Sequence, residues 1–290
     1  MTRATRKPVR SSILTRFTFT LVIVIWLGFI VLFSAAIVRC WQADPALYGL
    51  DESKFETLAV QENVTVISKT ETLIVRSGTE TVISQPVPAD KLRNFAALVA
   101  EELKLYPPEL FRRTGLRHAV LCSNLTINDL RIGGVPEFRR GLIFINVEGL
   151  DFSPEDLRAT VHHELFHMID FRDDKIIESD PTWEALNPRG FRYANGGRKA
   201  LADPNISSRA TDQIPGFLTT YSTTAVEEDK AEVYSFMVVY PKYVAERVRT
   251  DTVLKAKVTR MRALIKSFCP ELDDRFWTRI ERTRVAVDLP

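Results

Sequence analysis

Ser153-Pro-Glu-Asp-Leu-Arg-Ala-Thr-Val-His-His-Glu-Leu-Phe-His-Met-Ile-Asp170 decides how the chain is read, and its centre is His163-Glu164-Leu165-Phe166-His167. Ser153 is a helix cap, Pro154 suits the first helical position, and Glu155 and Asp156 lie where the helix dipole favours acids. Leu157, Val161, Leu165, Met168 and Ile169 follow at helical spacing. On such a helix His163 and His167 stand one turn apart on one face, the separation two imidazoles need to reach one metal ion. Glu164, beside the first of them, can reach a metal-bound water without being a ligand; this is the HExxH pattern of zinc peptidases. A solvated helix face is the competing account. His162 points about 100° away from His163 around the helix and reads as a packing or supporting residue.

A catalytic zinc site takes three protein ligands and keeps one position open. Some families supply the third just after this helix, with a Gly and then a His at fixed offsets; here those offsets hold Asp170 and Asp173. The better candidate is Thr224-Ala-Val-Glu227-Glu228-Asp229-Lys-Ala-Glu232. Thr224 and Glu227 have the spacing of a capping box, which starts a helix. Glu228 and Glu232 then lie one turn apart on one face. Glu228 can serve as a ligand, with Glu232 accepting the free N–H of a ligating histidine and fixing its tautomer. An acidic first turn, favoured by the helix dipole, explains the same residues. Glu227 and Asp229 flank Glu228, so the helix register decides which acid meets the metal.

Tyr221 lies seven residues before Glu228. With it, His163-Glu164-x-x-His167 and Glu228-x-x-x-Glu232 resemble the gluzincin-type zincins, in particular the catalytic domain of anthrax lethal factor and the Pro-Pro endopeptidases, over residues 90–240. The resemblance implies Zn2+ held by His163, His167 and Glu228. It also implies Glu164 as general base for a zinc-activated water and Tyr221 as donor to the oxyanion of a peptide substrate. Trp183-Glu-Ala-Leu-Asn187 and Phe191-Arg-Tyr193 resemble a second group, bacterial zinc metallopeptidases without an assigned substrate.

Outward from the motifs, residues 58–84 alternate apolar and polar positions around a Ser77-Gly78 turn, as short antiparallel strands do. Asp90 is the expected cap of a helix carrying Leu92, Phe95, Ala96, Leu98, Val99 and Leu103. One more helical turn follows Pro107-Pro108, then strands at 118–122 and 142–147. Residues 171–222 are rich in Gly, Pro, Asn and Asp and read as irregular; amphipathic helices are predicted near 251–267 and 271–284. The expected fold class is α+β. A strand-rich segment (58–88) precedes a zincin-like domain (89–290) with a small mixed sheet, the HExxH helix and a mainly helical C-terminal part. A peptide substrate is expected to add as a strand along 142–147 if that strand is a sheet edge.

At the N-terminus, residues 17–38 are apolar and uncharged. As a helix they reach about 33 Å, enough for a hydrocarbon core of about 30 Å. Arg3, Arg6, Lys7, Arg10 and Arg16 precede the run, and Arg39 and Trp41 follow it. The positive-inside rule then predicts a cytoplasmic tail (1–16), a transmembrane signal-anchor (17–39), a connector (40–57) and a catalytic domain outside the cytoplasm, whether periplasmic, extracellular or lumenal. Secretion after signal cleavage is the alternative, though the apolar core of a signal peptide usually spans only about 7–15 residues. A net charge of +2 over 290 residues gives no reason to expect nucleic acid. The partners are a peptide or protein substrate and the membrane. Cys122 and Cys269 would share an oxidising compartment, where pairing is open to them. Two further functions fit the same residues: a zinc hydrolase of a non-peptide bond, and an inactive zinc-containing binding or sensory protein.

Overall fold

The structure is a computed structural model, and it describes residues 55–77, 80–148, 153–176, 178–194, 196, 200 and 202–284. Among these, no helix is long and apolar enough to cross a membrane. The anchor expected at 17–39 lies outside them.

Two hairpins open the described chain: β1 (Phe55–Gln61) with β2 (Val64–Lys69), and β3 (Leu73–Ser77) with β4 (Glu80–Gln85), both antiparallel. Helix α1 (Ala89–Leu103) follows. Pro88 stands at its cap with no side-chain bond, and Asp90 lies inside the first turn, so the cap expected at Asp90 is not formed. Proline at the boundary fixes the entry backbone without needing an N–H partner. Helix α2 (Pro108–Thr114) closes on Gly115 at φ +68°, the left-handed conformation that glycine reaches without strain.

Strand β5 (His118–Ile127) is the hub of one mixed sheet. Its first half runs parallel to β2 on one edge and to β8 (Leu142–Glu148) on the other; its second half pairs antiparallel with β4. Between β5 and β8 come β6 (Leu130–Arg131) and β7 (Gly134–Glu137), and β7 pairs antiparallel with β8. Both edges of β8 are therefore occupied, and Leu142 to Val147 are buried. That removes 142–147 as a docking edge for substrate. Strand β7 escapes sequence reading because four residues with a glycine and a proline carry little β-signal, yet Pro136 is tolerated on an outer strand.

Helix α3 (Pro154–Asp173) packs against β7 and β8, and α1 packs against β1, β2 and β5. Ser153 and Asp156 form a full capping box at the start of α3. A one-turn helix, α4 (Pro181–Glu184), and a 3-10 turn (Tyr221–Thr223) interrupt the otherwise irregular stretch before α5 (Val226–Val239). Thr224 does not cap α5: its hydroxyl donates to the Tyr221 carbonyl at 2.7 Å, and Ala225 takes the cap position. Helices α6 (Pro241–Arg247), α7 (Thr252–Phe268) and α8 (Asp274–Thr283) complete the fold. Of these, α6 was not anticipated. Helix α5 lies between α3 on one side and α6, α7 and α8 on the other, so nearly every residue of it is buried. Cys122 and Cys269 are both buried free thiols, the first donating to the Ile145 carbonyl and the second to Glu271. The pairing left open above does not form.

Candidate metal centre

Helices α3 and α5 cross so that three side-chain atoms converge. His163 Nε2 and His167 Nε2 are 3.0 Å apart. Glu228 Oε2 lies 3.0 Å from the first and 3.5 Å from the second. The helical period accounts for the histidine pair, and burial of α5 against α3 delivers the carboxylate. Behind His163, Glu232 Oε1 sits 3.1 Å from Nδ1. If the His163 Nδ1–H donates to Glu232, its Nε2 carries a lone pair aimed at the same point as the His167 nitrogen and the Glu228 oxygen. Three lone-pair donors facing one another repel unless a cation lies between them. Metal–ligand bonds of about 2.0–2.1 Å in tetrahedral geometry set ligand atoms about 3.3 Å apart. The observed spacings match, so these residues suit a zinc-sized ion.

The electrostatics agree. Burial pushes His163 down, but hydrogen bonds to Glu228 and Glu232 and the nearby carboxylate charges hold it well above the ordinary imidazole range. Burial pushes Glu228 up, and its contacts with His163 and His167 outweigh this and hold it below the usual carboxylate range. A field that favours a proton on His163 also favours a metal cation in its place.

Helix register decides among the acids of α5. Glu228 alone of the three consecutive acids faces the histidines. Glu227 is only partly buried, and Asp229 turns the opposite way. There Asp229 Oδ2 accepts from Trp183 Nε1 at 2.7 Å, Tyr193 at 2.5 Å and Lys257 at 2.7 Å. Lys230 reaches back to Asp170 at 2.5 Å and to Asp180 at 3.3 Å. Asp170, an offset position weighed as a ligand, thus anchors a lysine instead. These supports went unassigned in the sequence, although the segment holding Trp183 and Tyr193 stood out in it.

Tyr221 is brought to the site by the 3-10 turn. Its ring stacks on His163 with centroids 6.2 Å apart and planes at 29°. Burial, then the charge of Glu228 and a hydrogen bond to it, raise its phenol well above the ordinary value, so it remains a donor. Glu164 is 5% exposed, on the same helix as the two histidines. His162 faces away, with Nε2 2.7 Å from Glu102 and Nδ1 2.7 Å from the Tyr106 hydroxyl.

No family model matches the chain, and no curated protein matches it. Among solved structures, the chain is similar to a crystal structure from Bacteroides caccae ATCC 43185 described as a "putative zinc-binding metallo-peptidase". The two share 16% identity and a TM-score of 0.51, over 77% of this chain and 86% of that one. At that identity the likeness shows a common fold, the mixed-sheet and helix arrangement described above.

Proposed function

We propose that this protein is a zinc-dependent endopeptidase, tethered through residues 17–39 with its catalytic unit outside the cytoplasm. The observation that carries the reading is the convergence of His163 Nε2, His167 Nε2 and Glu228 Oε2 at one point, with Glu164 on the same helix. His163, His167 and Glu228 would hold the ion. Zinc, when bound, supplies Lewis acidity that polarises a carbonyl and acidifies a coordinated water.

The chain's own residues do the rest. Glu232 accepts a hydrogen bond from the His163 Nδ1–H and holds that ring in its ligating tautomer. Glu164 takes a proton from the attacking water at its carboxylate and returns it to the leaving amine. Tyr221, itself buried, donates its phenolic O–H as a hydrogen bond to the oxygen that gains charge. Among the described residues β7 has β8 as its one strand partner, so an extended peptide can add along its other side and pass Glu164. The apolar run and the five basic residues ahead of it support the tether.

The test is cleavage of a diverse peptide library by the purified protein, before and after zinc removal and re-addition. Cleavage that disappears with the metal and returns with it is the expected result. A folded, zinc-loaded protein that cuts no peptide would overturn the peptidase reading.

A further inference from the structure

Gly134 begins β7 and lies against the side chain of Glu164. A Cβ placed on Gly134 would stand 2.6 Å from Glu164 Cγ, 2.7 Å from Oε1 and 2.8 Å from Cδ. Real Cβ atoms do not approach so closely, so any side chain here forces a movement. The strand backbone has little freedom to give way. Gly134 pairs with Ile145 in the β7–β8 register. One residue earlier, the Gly133 carbonyl accepts the Asn146 N–H at 2.8 Å, and the Asn146 amide donates to the Ile132 carbonyl at 3.0 Å. Asn146 is fully buried, so both bonds are shielded from water. With the backbone held to β8 just ahead of Gly134, the group that moves is the Glu164 carboxylate, whose side-chain atoms are the ones in the way.

We propose that Gly134 is a positioning residue for Glu164: its missing side chain is what lets the carboxylate lie flat against β7, at the depth from which it reaches the metal centre. This rests on the reading of Glu164 as the proton-transferring group. The glycine also gives the strand two uses at one point. Its outer edge has no strand partner among the described residues, and its bare α-carbon makes the seat for the general base. A base displaced by about 1 Å loses on the order of 100-fold in rate, because proton transfer depends on a narrow range of donor–acceptor distances.

The experiment is a double-mutant cycle in the full-length, zinc-loaded protein with Gly134→Ala, Glu164→Ala and the pair. Bound zinc, thermal midpoint, kcat and KM are read for each. Gly134→Ala is expected to keep its zinc and lower kcat about 10–100-fold, with KM changed less than about 3-fold. It should also lower the thermal midpoint of the wild type but not that of Glu164→Ala, where the space is already vacant. Wild-type kcat in Gly134→Ala, or an equal thermal loss in both backgrounds, would overturn the proposal. Should Gly134→Ala alone fail to fold, a folded double variant supports the proposal and an unfolded one overturns it. If the wild type cuts no peptide, the endopeptidase reading fails by itself, and the thermal cycle still decides whether Gly134 sets the seat of Glu164.

Discussion

The carboxylate of Glu232 touches no reacting atom, yet it decides what His163 can do. It sits 3.1 Å from His163 Nδ1 and is 4% exposed, so the hydrogen bond it accepts is shielded from water. Glu232→Gln replaces the carboxyl acceptor with an amide and weakens the hold on the ring. Zinc affinity should fall by about 10–100-fold while the ligands stay in place. Competition against a chelator of known affinity reads this directly; unchanged affinity would remove Glu232 from the site. At this scale much was legible. The histidines and Glu164 are contiguous, and the i, i+4 pair of Glu228 and Glu232 needs only the helical period to be seen. Asp229 and Lys230 were opaque because their partners come from other elements. Trp183, Tyr193, Lys257 and Asp170 lie far away in the chain and meet α5 only in the folded state.

Between elements, α5 is tied by ion pairs to two neighbouring helices just after its ligand. Asp229 binds Lys257 of α7, and Lys230 binds Asp170 of α3, the helix that carries both histidines. The Lys230–Asp170 pair is nearly solvent-free, with both side chains 3% exposed. It spans the two helices whose separation sets the distance between Glu228 and the histidines. Replacing Lys230 with Met leaves the buried Asp170 carboxyl without its cation, at a cost of about 3–5 kcal/mol. Adding Asp170→Asn should recover most of that loss, because the pair's net worth is small once both charges are gone. Urea denaturation of the single and double variants checks this, and equal losses in the two would contradict it. The element order was partly readable. Strong amphipathic or capped segments such as α1, α3 and α7 stood out, while β6, β7 and α6 are short, and β7 and α6 contain proline. The start of α5 was misassigned by one residue because Thr224 bonds backward to Tyr221, competing with the cap.

Across the whole fold, Glu102 joins three distant pieces. Its carboxylate meets His162 and Arg158 of α3 from the end of α1, and Arg284 just beyond α8. Burial pushes the Glu102 carboxyl up, but the His162 hydrogen bond and the charges of Arg284 and Arg158 overcome this and hold it at about 2 instead of 4.5. His162 is buried and pushed toward its neutral form, so its Nε2–H donates to Glu102 and its Nδ1 accepts from Tyr106. Because the folded value is the lower one, the stabilisation is complete above the unfolded value and drains away as pH falls through the folded one. Glu102 therefore contributes on the order of 3 kcal/mol at neutral pH, and less than about half of that by pH 3. In zinc-free protein, the urea midpoints of wild type and Glu102→Gln should draw together between pH 7 and pH 3; a constant gap would contradict the assignment. The α+β class was legible from the alternation of strand-like and helical patterns. The joining of β1 to β4 with β5 in one sheet was not, because strand pairing over such separations leaves no local trace. The central claim concerns Glu164, and turnover in Glu164→Gln tests it most directly. The account predicts one zinc per chain, as in the wild type, with peptide cleavage reduced at least about 100-fold. Cleavage at the wild-type rate in a zinc-loaded Glu164→Gln protein would contradict it.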